Sequence, residues 1–292
     1  MSKKSVLTWL IPLIVVLALV TALAGLFVQG GEGTYTFTNR YGHEVEMYGK
    51  GLYQYDSRLV GAGFKGTDMV TLTIAIPMLL LSYLKSRRGI LSGSIFLVAA
   101  LFYFLYNGAS MTFAASFNSL FLFYIALFSS NLFALIVTLV NIDSADLKKR
   151  VQAEFPYRTI AVFLFVAGIG TLLLWISELI GPILQGTAPE IIGPYTTLFT
   201  HGFDSALITP AAVMTGILLL QRKAWGYVLS APIMIFCTMI GIVVIAQTIS
   251  QTWEGLVFPI GVYIGMIGSW VVMGAFAVSF TFAYFRNLNT ND

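Results

Sequence analysis

The chain has 292 residues, 58% of them apolar and only 10% charged, with 23 phenylalanines and a mean hydropathy of +0.85. A water-soluble domain carries roughly 25% charged residues, so this composition excludes a single aqueous core and makes lipid the solvent for most of the chain. The net charge of +3 does not point to nucleic acid, because the basic residues fall in short clusters between apolar stretches and build no basic face. The one cysteine, Cys237, excludes an intrachain disulfide and a thiolate metal cluster.

In chain order, eight apolar stretches approach the roughly 20 residues that a helix needs to cross about 30 Å of hydrocarbon. They are expected at about 6–29, 68–85, 90–107, 117–141, 159–181, 201–220, 226–249 and 257–285. The first, behind Lys3 and Lys4 and containing Ala22-Leu23-Ala24, resembles a signal peptide. Its apolar run of about 24 residues exceeds the 7–15 of a signal core, so it reads as an uncleaved anchor.

Between the first two stretches, an outer loop is expected over 30–67. Thr34 to Thr38 and Glu44 to Tyr48 alternate in polarity around the turn formers Asn39-Arg40-Tyr41-Gly42, which predicts a β-hairpin. Gly49 to Ser57, rich in glycine and tyrosine, reads as an ordered lid segment.

The remaining connections fix orientation. Lys85, Arg87 and Arg88, then Lys148, Lys149, Arg150 and Arg158, then Arg222 and Lys223 share one side with Lys3, Lys4 and Arg286. That side holds twelve of the sixteen Lys and Arg, so the positive-inside rule makes it cytoplasmic, together with both termini. Nine of the thirteen acids, including Glu254, lean the other way.

The second and sixth stretches open alike. Lys65-Gly66-Thr67-Asp68 and His201-Gly202-Phe203-Asp204 repeat a basic or titratable residue, Gly and Asp at an offset of 136, and the same offset lays Lys85-Ser86-Arg87 over Gln221-Arg222-Lys223. A 4+4 duplication with halves 1–141 and 158–286 would relate the copies by an axis along the membrane normal. Part of the match follows from spans starting polar and ending basic; only Gly-x-Asp is extra. The expected fold is therefore an all-α membrane bundle of eight transmembrane helices in a single domain, 1–292, with the hairpin outside.

An ionisable group at the edge of hydrocarbon is costly to keep and marks either a site or a satisfied pair. Lys65 with Asp68, and His201 with Asp204, are three apart and share a helix face. Either aspartate could instead cap a first helical turn. Glu178, Asn107, Asn118, Gln247, Gln251 and Glu254 are expected at the same depth, lining one outward-opening cavity. Asn131 reads as an interhelical hydrogen bond, while Pro77 and Pro210 predict kinks in the second and sixth helices.

Two histidines, His43 and His201, fall short of a usual zinc hydrolase set, and no phosphate loop, nucleophile elbow or paired haem histidines occur. No cofactor and no metal are implied.

The segments Gly51-Leu52-Tyr53-Gln54-Tyr55-Asp56-Ser57 and Lys65-Gly66-Thr67-Asp68-Met69-Val70-Thr71-Leu72 resemble a family of uncharacterised bacterial multi-pass inner-membrane proteins. The likeness covers the outer loop and the second to fourth spans. It implies a bacterial inner-membrane location and brings no function.

Three functions fit these residues. One is a small-molecule binder or transporter, with Asp68 and Asp204 facing each other between the halves and His201 or Glu178 exchanging protons. Another is a sensory or accessory subunit that holds a partner protein through its outer loop. The third is a membrane enzyme with carboxylate or metal chemistry at the outer face.

Overall fold

The computed structural model describes residues 3–289, without the side chains of residues 3–5 and 266, so Lys3 and Lys4 enter the orientation argument by sequence alone. Among the described residues, eight helices are long and apolar enough to cross a membrane: Val6–Phe27, Arg58–Arg87, Leu91–Phe113, Phe121–Val140, Tyr157–Gln185, Phe199–Leu220, Ala224–Trp253 and Val262–Arg286. They are called the first to eighth spans. The chain is an integral membrane protein, and large apolar side chains such as Leu81, Phe133, Val166 and Phe282 lie exposed on its perimeter where lipid would cover them.

Two boundaries differ from the hydropathy reading by more than five residues. The second span starts at Arg58, so the loop before it ends at Ser57 instead of 67. Ser57 caps this helix, its hydroxyl accepting the Val60 N–H, and the glycines and charges of 58–67 had hidden a helix that packs on protein instead of lipid. The third span runs on to Phe113, which places Asn107 inside it.

The hairpin forms as an antiparallel pair, β1 (Tyr35–Thr38) and β2 (Glu44–Met47), with Phe37 opposite Val45. Val45 and Met47 are buried while β1 is exposed throughout. Asn39 organises the turn: its Oδ1 accepts the N–H groups of Tyr41 and His43, and its Nδ2 donates to the Gly193 carbonyl in the loop before the sixth span. A short 3₁₀ turn, Gly51–Tyr53, carries the chain to Asp56 beneath that loop.

The second and sixth spans each contain one π-helical turn, Thr71–Ala75 and Asp204–Ile208. The Ile76 N–H reaches the Thr71 carbonyl, and the Thr209 N–H the Asp204 carbonyl, five residues back in each case. Pro77 and Pro210 follow at once; a proline ring crowds the carbonyl four residues earlier, and a widened turn relieves that contact.

The likeness continues through the next turn. The Gly89 N–H bonds Ser86 and the Ile90 N–H bonds Lys85; likewise the Arg222 N–H bonds Leu219 and the Lys223 N–H bonds Leu218. Gly89 and Arg222 both have positive φ, 83° and 53°, although the second is not glycine. Gly93 then packs on Lys85 and Ser86, and Gly226 on Leu218 and Leu219, so closely that a Cβ would collide with backbone. The third and seventh spans that follow are the two most enclosed by protein.

Candidate functional site

Asp204 occupies the first position of the π-turn in the sixth span and is 5% exposed. Tyr106 of the third span donates its hydroxyl to Asp204 Oδ1 at 3.0 Å, and Trp175 of the fifth donates Nε1 to Oδ2 at 3.1 Å. The same Trp175 ring lies over the His201 imidazole, centroids 4.1 Å apart, and 6.1 Å from the Trp270 ring. His201 Nε2 bonds Glu178 Oε2 at 2.8 Å, leaving a buried Nδ1 with no hydrogen-bond partner.

Asp204, His201, Tyr106, Trp175 and Trp270 border a cavity of about 780 Å³ between the second, third and fifth to eighth spans, within the range of ligand pockets. Its roof includes Tyr195 and Pro194 from the loop before the sixth span, and its far end is lined by Gly168, Ala212, Ile233 and Cys237. Asp204 and His201 line it; among the described residues no Lys, Arg or Glu does.

Of the residues expected to share one cavity, Gln247 and Gln251 border this one as well. Gln247 Nε2 donates to Thr67 Oγ1 at 2.9 Å, and Gln251 Nε2 to the Leu59 carbonyl at 3.0 Å, so both amides are tied to the second span. Glu178 reaches the site only through His201, and Glu254 lies off the cavity wall, bonded to Tyr48 and Lys50 of the loop.

Asp68 does not face Asp204 across the cavity. It is 3% exposed and accepts the Tyr53 hydroxyl at 2.7 Å, against the first span at Gly25, where a Cβ would overlap the carboxylate. The register explains this: the residue at the start of the first π-turn is Thr71, and its hydroxyl meets Tyr103 at 3.2 Å. Lys65 forms its ion pair with Glu254, 3.8 Å distant, and not with Asp68. Asn107 is buried outside the cavity wall. Asn118 closes the turn before the fourth span, its Oδ1 accepting the Leu120 N–H. Asn131 bonds its own helix at the Leu127 carbonyl, 2.7 Å, not a neighbouring one, and its buried Oδ1 is unpaired.

Above the helices, charges and phenols hold the hairpin loop down. Glu254 accepts Tyr48 Oη at 2.8 Å and Lys50 Nζ at 3.0 Å, its carbonyl accepts Arg58, and Arg58 also pairs with Glu46 at 2.7 Å. Burial pushes the Glu254 carboxyl up, but Lys50, Tyr48 and Lys65 together outweigh it and hold it below the usual range. Asp56 is fully buried, and its Oδ1 accepts both Tyr195 Oη at 2.9 Å and the Ser116 N–H at 2.8 Å. Desolvation pushes Asp56 up to about 6 in spite of those donors, because Oδ2 is buried without a partner.

Tyr106, Trp175, Trp270 and Tyr195 were not singled out by the sequence reading. Aromatic residues in apolar stretches look alike whether they pack or hold a carboxylate, and nothing in spacing separates them. Among the described residues no cluster of three His, Cys, Asp or Glu is placed to hold a metal. No known protein family, no curated protein and no solved structure matches the chain.

Proposed function

We propose that this protein binds a small molecule in the cavity beside Asp204 and carries it across a bacterial inner membrane, with the hairpin outside and both termini in the cytoplasm. The observation that carries this reading is a buried carboxylate, held by Tyr106 and Trp175, on the wall of a cavity of about 780 Å³. A carboxylate kept at membrane depth is expensive unless it is paired or serves a ligand or a proton, and Asp204 borders the cavity as well as meeting its two donors.

The transport part draws on the π-turns of the second and sixth spans, which correspond in place, whereas the π-turn Val262–Ile267 of the eighth span stands apart from that pairing. Interrupted spans in corresponding places are a common framework for alternating access. The matching hairpins at 71–93 and 204–226 favour a duplication in a register of 133 residues, with Pro77 over Pro210 and Gly93 over Gly226, instead of the offset of 136. In that register His201 replaces Asp68 and Asp204 replaces Thr71, so the halves 1–141 and 158–286 have diverged at their polar positions and only the second keeps an acid on the cavity.

The test is ligand-dependent stabilisation of the purified chain across a chemically varied set of metabolites, with wild type beside Asp204→Ala. Compounds that raise the melting temperature of wild type and not of the variant are expected. If every compound acts alike on both proteins, the cavity is not the binding site.

A further inference from the structure

Around Asp204 and His201 the free hydrogen-bonding capacity of the cavity leans toward acceptance. Its best donors are already used: Tyr106 Oη and Trp175 Nε1 on Asp204, Gln247 Nε2 on Thr67, Gln251 Nε2 on Leu59. Two acceptors flank Trp175, while lining hydroxyls such as Ser110 and Thr200 can donate or accept. A carboxylate has about four lone-pair positions, and the two donors on Asp204 take one on each oxygen. With His201 Nε2 bound to a carboxylate that is acceptor-only when ionised, the neutral ring carries its proton on Nε2 and presents Nδ1 as an acceptor. Trp175 bridges the two, bonding Asp204 through its indole nitrogen and covering His201 with its ring.

The surroundings add charge preference. With Asp204 on the wall and no Lys or Arg there among the described residues, an anionic ligand would meet repulsion without a counter-ion. The faces of Tyr106, Trp175, Trp270 and Phe236 offer aromatic contact to a positive centre. The apolar end near Ala212, Ile233 and Cys237 leaves room for a hydrocarbon or aryl body.

We infer that the cavity recognises a protonated primary or secondary amine bearing an apolar body, its N–H groups donating to Asp204 and His201 Nδ1 and its charge lying against Trp175. This rests on the proposed binding role of the cavity and names its ligand class. A quaternary ammonium keeps the charge but has no N–H to give, so it is a weaker ligand. A neutral alcohol of the same shape keeps one donor and loses the charge.

The experiment uses the full-length purified chain in nanodiscs and four probes of one skeleton: 4-phenylbutylammonium, its N,N,N-trimethyl derivative, 4-phenylbutanol and 4-phenylbutyrate. Binding is read as quenching of tryptophan fluorescence and as a shift in melting temperature. The ammonium is expected to bind about tenfold to a hundredfold more tightly than the alcohol, the trimethyl compound to fall between them, and the carboxylate to bind weakest. Asp204→Asn should reduce the ammonium to within about threefold of the alcohol; if that variant does not fold, Asp204→Glu serves, with the preference for cations retained. The wild-type ranking stands as a test without any variant. An alcohol or carboxylate that equals the ammonium overturns the amine assignment while leaving the cavity a binding site. A ranking unchanged by Asp204→Asn overturns it too, as does failure of all four probes, whereas the broader role fails only when no compound of the varied set separates wild type from Asp204→Ala.

Discussion

Asp204 and Asp68 occupy similar sequence contexts, yet their neighbours give them different work. Around Asp204, replacement by alanine would leave the Tyr106 hydroxyl and the Trp175 indole N–H buried without acceptors, at about 1–3 kcal/mol for each group that stays dry. Asp68 instead closes a three-way contact with Tyr53 and Gly25. The first span can approach only because residue 25 has no side chain, so Gly25→Ala should lower stability by about 1–3 kcal/mol through overpacking, against a helix-propensity gain of about 1 kcal/mol. Gly170→Ala, where an added methyl meets open space, should not. Parallel melts in one detergent decide it, and equal melting temperatures would separate Gly25 from the Asp68 contact.

At the scale of elements, the hairpin loop is fixed by two carboxylates with opposite pH behaviour. The docked Asp56 has its value raised to about 6, so its contribution to docking is full below its ordinary value near 3.8 and is lost as pH rises through 6. Glu254 is held below its ordinary 4.5, so its contribution is present above that value and lost only at lower pH. Between pH 5 and 7.5 only Asp56 of these two carboxylates changes its contribution, and the loop should dock more tightly on the acid side by roughly 1.4 kcal/mol. Amide hydrogen exchange of residues 44–57, corrected for the intrinsic pH dependence, should show greater protection at pH 5, and Asp56→Asn should abolish the difference. The hairpin itself was legible in the sequence, since period-two alternation around Asn39 to Gly42 has few other readings. The helix over 58–67 was not: Gly61, Gly63 and Gly66 read as a loop, whereas they give the room for Tyr48 and the seventh span to come close. The π-turns were equally hidden, because a proline announces a disturbed helix without saying whether it bends or widens.

For the molecule as a whole, apolar length and basic turns carry the fold class, and eight spans emerge from sequence and coordinates alike. Which polar residues meet was not legible. Hydropathy assigns depth along the membrane normal but not rotation about each helix, and rotation sends Asp68 toward the first span and Asp204 toward the cavity. Orientation is the testable property at this scale. A cysteine placed at Gly42 should react with an impermeant maleimide on intact cells, and one at Asp146 should react only after lysis. The reverse pattern would turn the whole molecule over. The native Cys237 helps here and further in: it is buried, it borders the cavity, and the chain has no other thiol. Nature has thus installed a single reporter inside the chamber, and a small thiol-specific reagent needs no engineered background to clock how often that chamber admits a visitor.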